Sequence, residues 1–181
     1  MTPILFIIGL ISILGQVVLL RELSVASFGV ELVYILALGF WLAATAMGAV
    51  AGAMARPARA GQLAIPLLAL AALLPLGVAF ARGSRILLGG VPGAWLPFGE
   101  QMAILLITLL PSGFLTGWLF RGAAGIFVSE GRTLAAAYAI ESAGGLFGGG
   151  LSTLGLHWGL QNFTLAVIGA LVSAAAPLLI R

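Results

Sequence analysis

Apolar runs dominate the chain, and they come in stretches of membrane-crossing length. A spanning helix needs about 20 apolar residues, and six stretches approach or meet that: about 3–20, 32–54, 63–81, 101–120, 133–156 and 163–180. The first stops at Arg21-Glu22 and the sixth ends before Arg181. Pro66 and Pro75 fall in the third run and Pro111 in the fourth. In lipid, neighbouring helices satisfy the carbonyls that a proline frees, so these residues predict kinks rather than breaks. The longest connection, "RGSRILLGGVPGAWLPFGE" (82–100), is rich in Gly and Pro. With Trp95 and Phe98 it is expected to lie along the interface. The reading is an all-α, polytopic membrane bundle of about six helices, one domain over residues 1–181. The start of the chain lacks a basic n-region and an A-x-A site, and reads as a first membrane helix rather than a cleaved signal.

Composition makes the membrane reading firm. The chain is 62% hydrophobic and 7% charged, whereas soluble domains carry about 25% charged residues. Its mean hydropathy is +1.22. Cysteine is absent, which excludes disulfides, CxxC redox motifs, thiolate metal sites and covalent haem attachment. A single histidine, His157, excludes a bis-histidine haem within one chain. Neither a metal nor a cofactor is expected. All eight basic residues are Arg and all five acids are Glu, so the high isoelectric point reflects loop arginines and implies no nucleic-acid partner.

Small residues pattern the helices. Ala44, Gly48 and Gly52 share a face of the second run, and Gly113 and Gly117 a face of the fourth. The fifth places Ala137, Glu141, Gly144, Gly145, Gly148, Ser152 and Gly155 on one side. Such small-xxx-small faces let backbones approach closely in lipid, so the fifth helix is expected at the centre of the bundle. The glycine run "GGLFGGG" (144–150) is not a dinucleotide fingerprint, because it lies inside an apolar helix with no preceding strand.

Glu141 is the sharpest polar candidate. A charged carboxylate inside a membrane is costly, by about 2.5–3.5 kcal/mol at mid-membrane on insertion scales, so a neutral carboxyl hydrogen-bonded to Tyr138 or Gln16 is expected. Two readings stand: a site for a proton or cationic ligand, and an interhelical hydrogen bond that fixes packing. Arg21, Glu22 and Glu31 read as a solvated helix end, the alternative being Arg21 folded back as a counter-charge near the membrane surface, and His157 with Trp158 as interfacial. Arg56, Arg59, Arg121 and Arg132 follow the second and fourth runs, where arginines set topology and touch lipid headgroups. Their placement favours the N- and C-termini on the cytoplasmic side of a bacterial-type inner membrane. The final arginine leaves room for a soluble domain beyond residue 181.

Two stretches carry a resemblance: "GQVVLLRELSVASFGVELVYILALGFWLAATAMGAVAGA" (15–53) and "LPSGFLTGWLFRGAAGIFVSEGRTLAAAYAIESAGGLFGGGLSTLGL" (110–156). They resemble the multi-pass membrane domain joined to spermidine-synthase-like proteins, the polyamine aminopropyltransferase family, in which the helix carrying Glu141 and Gly145 matches the pattern "YA-x-E/N-x-x-G-x-x-x-G". These domains are described as similar to half of a major facilitator transporter, and "GAMARPAR" (52–59) faintly resembles the loop motif of such transporters without its aspartate. The family's catalytic half is a Rossmann-like domain with catalytic aspartates, and this chain contains no Asp.

The resemblance implies a non-catalytic membrane domain or subunit. It would anchor a soluble aminopropyltransferase-like partner, or a larger membrane complex, through its glycine-rich faces. The alternatives are a polyamine or proton transporter or channel module using Glu141, and a cofactor-free accessory subunit of an electron-transfer complex. The lipid bilayer and other membrane helices, from copies of the chain or from complex subunits, are the expected partners.

Overall fold

A computed structural model describes residues 1–54, 60–91 and 93–180. Six long helices account for most of these: α1 (Thr2–Ala26), α2 (Glu31–Met54), α3 (Ala64–Leu87), α4 (Phe98–Ser129), α5 (Leu134–His157) and α6 (Asn162–Ala175). Single 3-10 turns lead into α3 (Ala60–Leu63) and out of α6 (Ala176–Leu179). The chain is an all-α membrane helix bundle. Five of the helical stretches are both long and apolar enough to cross a bilayer: Thr2–Ala26, Glu31–Met54, Ala60–Leu87, Phe98–Ser129 and Asn162–Leu179. The remaining helix, α5, has 24 residues, so it is about 36 Å long. Its glycines and polar groups lower its hydropathy without shortening it.

Several helices outrun the apolar stretches that predict them. α1 continues through Arg21-Glu22 to Ala26, because Glu22 finds partners inside the bundle. α3 carries Arg82 and Arg85 on its last turns, so the connection to α4 shrinks to residues 88–97. α4 runs past Arg121 to Ser129. Pro66 falls in the first turn of α3, where the missing N–H has no helical partner to lose. Pro75 and Pro111 sit inside continuous helices. Thr133 starts α5 with its hydroxyl accepting from the Ala136 amide at 3.2 Å.

Contacts between the helices fix their directions. Gly9, Gly15 and Gly77 place α1 alongside α5 and α3 in parallel, with Gly9 at Glu141, Gly15 at Leu74 and Gly77 at Leu19. α2 and α4 are also parallel to each other: Gly113 meets Ala44 and Gly117 meets Thr45. α6 runs against α3, since the Ser173 hydroxyl donates to the Leu67 carbonyl at 2.8 Å while Gly169 faces Leu74. Helix directions alternate along the chain, as successive crossings of one membrane require.

This arrangement contains an internal inverted repeat that the sequence reading missed. Helices α4, α5 and α6 repeat α1, α2 and α3 in the opposite direction. The pair α1·α5 then corresponds to α4·α2, and the correspondence holds residue by residue. Gly9 lies against the Glu141 carbonyl and the Gly145 amide, and Gly117 lies likewise against the Thr45 carbonyl and the Ala49 amide. Gly144 receives the Phe6 carbonyl, and Gly48 receives the Phe114 carbonyl. Sequence traces remain: "PILFIIG" (3–9) matches "PSGFLTG" (111–117) at Pro, Phe and Gly, and Ala43, Gly48 and Gly52 match Ala139, Gly144 and Gly148.

The space between α1, α3, α4 and α6 is filled. Leu14, Leu19, Leu74, Val78 and Leu109 are all buried there, and Gly15, Gly77 and Gly169 receive leucine side chains from neighbouring helices. The outer faces of α2, α3 and α5 are apolar and exposed, as lipid-facing surface is, so α5 is not the central helix its small residues suggest: its glycines let it lie close against α1, and α1 is the helix most buried along its length.

Candidate functional site

The glycine faces are occupied within the chain. On α1·α5, Phe6 and Leu10 direct backbone carbonyls at Gly144 and Gly148, while Ile13 lies on Gly145. On α2·α4, Gly48 takes the Phe114 carbonyl, Gly117 that of Thr45, and Gly113 the Ala44 methyl. Gly52 accommodates the Trp118 ring and the Arg121 stem. A methyl group at Gly48, Gly117, Gly144 or Gly148 would overlap a carbonyl oxygen of the facing helix. Any partner of this chain must therefore use other surface.

Glu141 is half-buried on the flank of α5, roughly two turns in from that helix's start. Its backbone carbonyl touches Gly9, but among the described residues its carboxyl has no hydrogen-bond or ion-pair partner. Neither expected partner reaches it. Tyr138 is half exposed and packs its ring on Phe120 with centroids 4.7 Å apart. Gln16 is on α1, but the parallel register puts Gly9, not Gln16, level with Glu141. Gln16 is two turns further along, about 10 Å away.

The best-formed polar cluster lies elsewhere, at the opposite end of the bundle. Glu22 is 6% exposed and pairs with Arg82 of α3, whose Nε donates to Oε1 at 2.6 Å. Asn162 at the start of α6 donates from Nδ2 to the other carboxylate oxygen at 2.8 Å. Three helix ends are joined through one carboxylate, so the expected solvated helix end is corrected for Glu22; Arg21 does remain exposed. The missed signal is positional. Parallel α1 and α3 bring the charges that follow their apolar runs, Glu22 and Arg82, to the same level. Asn162 Oδ1 is buried without a donor among the described residues.

The remaining arginines divide by end. Arg85 donates to the carbonyls of Val91 at 3.2 Å and Ala94 at 2.7 Å and lies over the Phe28 ring at 4.4 Å, tying down the α3–α4 connection. At the other end Arg132 donates to the Thr2 hydroxyl at 2.8 Å and covers the Phe127 ring at 4.8 Å. Arg121 lines an open groove beside α4. Arg56 and Arg59 lie outside the described residues, as does most of "GAMARPAR". Trp95, His157 and Trp158 are exposed at one end, while Trp41 is buried in α2. The described residues contain no cluster of three or more His, Asp or Glu side chains able to hold a metal ion. Comparison with protein-family models, with curated proteins and with solved structures finds no match to the chain.

Proposed function

We propose that the chain is a non-catalytic membrane module that holds a partner at the bilayer, as the resemblance to the membrane domain of spermidine-synthase-like proteins implies. The observation that carries this reading is the solid interior. Two glycine-locked helix pairs surround packed leucines at the places where a translocation path through one six-helix unit would run. A rigid, filled bundle suits anchoring. The partner would be a soluble aminopropyltransferase-like domain, or other subunits of a membrane complex, bound to surface other than the glycine faces. Five of the eight arginines (Arg56, Arg59, Arg121, Arg132 and Arg181) follow the apolar runs of α2, α4 and α6 in sequence, which favours that end as cytoplasmic in a bacterial-type inner membrane.

One observation favours a second reading. Inverted three-helix repeats are a building principle of secondary transporters, and Glu141 stands unpaired on an outer flank. A polyamine or proton path would then run between this chain and a second helical unit, not through this one.

Mild-detergent purification from native membranes, with identification of co-purifying proteins, tests the first reading. Retention of an aminopropyltransferase-like or complex partner is expected. Uptake of labelled spermidine into vesicles containing the wild-type protein, lost in Glu141→Gln with folding intact, would replace it with the second.

A further inference from the structure

We propose that the groove over the C-terminal half of α4 holds an anionic phospholipid, with Arg121 as its headgroup contact. The groove has α4 from Trp118 to Ser129 as its floor, Gly52 and Ala53 of α2 on one side, and Leu134 and Tyr138 of α5 on the other. Its volume is about 830 Å³, within the usual range for ligand sites. It lies at the end of the bundle that carries Thr2 and Arg132.

Charge and depth identify the occupant. Arg121 is the one charged residue among the described lining residues, and none of these is an acid. Among the described residues it makes no ion pair or hydrogen bond. It nevertheless sits two turns inside α4, about 12 Å from Ser129. α4, about 48 Å long, outruns a hydrocarbon core of about 30 Å, which puts Arg121 near headgroup level, and a phosphodiester presents the oxygens that a guanidinium binds in a two-pronged manner.

Two glycines border the side chain. Its Cβ and Cγ lie 3.2 Å from where a methyl on Gly52 would stand, and its Nη1 lies 3.3 Å from the same position on Gly125. Two glycines, on different helices, thus leave the stem and the guanidinium room to run along α4 toward the lipid phosphates. The walls explain why the anion is a lipid and not free phosphate: Trp118, Phe120, Ile126 and Leu134 are suited to an acyl chain. The binding site needs only a membrane-embedded chain and is independent of the anchoring role.

The test reconstitutes the purified full chain into phosphatidylcholine nanodiscs with and without phosphatidylglycerol, and reads thermal stability together with lipid retention by native mass spectrometry. The wild type should gain stability with phosphatidylglycerol and carry it as a retained adduct. Arg121→Gln should weaken that preference about tenfold, the loss of one charge-assisted contact. Arg121→Lys, which keeps the charge but not the two-pronged contact, should keep part of it, and Ala53→Trp, which fills the groove without touching the charge, should lose it. Should Arg121→Gln fail to fold, the wild type, Arg121→Lys and Ala53→Trp decide the matter. Equal behaviour of the wild type in the two discs would overturn the proposal, as would an unchanged preference in Arg121→Gln or in Ala53→Trp. Equal stabilisation by inorganic phosphate in phosphatidylcholine discs would also overturn it, in favour of a free-anion site.

Discussion

Gly144→Ala adds one methyl group where the structure leaves no room for it. The new Cβ would overlap the Phe6 carbonyl oxygen and stand 2.8 Å from its carbon and 3.1 Å from the Leu10 nitrogen. Carbon atoms pack at about 3.5–4.0 Å, so α1 and α5 must part by roughly 1 Å along their interface. Neither obstacle is the end of a flexible side chain; both are helix backbone. Overpacking of this kind costs about 1–3 kcal/mol, against which alanine regains up to about 1 kcal/mol of helix propensity over glycine. The net expectation is a loss of roughly 0–2 kcal/mol against the wild type, and of about 1–3 kcal/mol against an alanine that gains the propensity without the overlap. Gly48→Ala, at the equivalent position of the inverted repeat, should behave alike. Gly39→Ala and Gly150→Ala serve as controls, since nothing lies within 4 Å of a methyl at either site; both should be neutral or stabilising. Reversible unfolding in mixed detergent micelles measures all four. A Gly144→Ala protein as stable as Gly150→Ala would refute the close-packing argument.

Arg82→Ala should destabilise the bundle by about 1–3 kcal/mol, less than for a fully buried pair because Arg82 is itself 44% exposed; Glu22→Gln, which keeps a hydrogen-bonding side chain, should cost less, and the same unfolding assay ranks them. Ser173→Ala removes the bond that ties α6 to the Leu67 carbonyl and should cost about 1 kcal/mol. Glu141→Gln should leave stability within about 0.5 kcal/mol of wild type, since the carboxyl has no partner within the described chain; a larger loss would reveal a partner.

Hydropathy made the helices legible because a membrane demands apolar length, and each of the six predicted runs lies largely within a helix. Their ends were less legible. A charge stops an apolar run in the sequence but not a helix whose charge is paired, which is why α1 passes Glu22 and α3 passes Arg82. The small-residue faces were readable at Gly48, Gly117, Gly144 and Gly148, but periodicity does not say which face meets which. The inverted repeat was written in Pro3, Phe6 and Gly9 against Pro111, Phe114 and Gly117, a spacing obscured by the different connections between the helices. Register decided the polar sites. Once Gly9 lies level with Glu141, Gln16 is too far to pair, and no spacing rule within one helix contains that fact.

The central claim is that the glycine faces join helices of one chain in two equivalent parallel pairs. Cysteine cross-linking in native membranes tests it most directly, because the chain has no cysteine of its own. Ile13→Cys with Gly149→Cys probes α1·α5, where a methyl on Gly149 would stand 3.3 Å from the Ile13 side chain. Ala44→Cys with Gly113→Cys probes α2·α4, where the two Cβ positions lie 2.9 Å apart. Both pairs should form disulfides within a single chain, running at monomer mass. Products at dimer mass, with none at monomer mass, would mean that the glycine faces join separate chains, and would contradict the account.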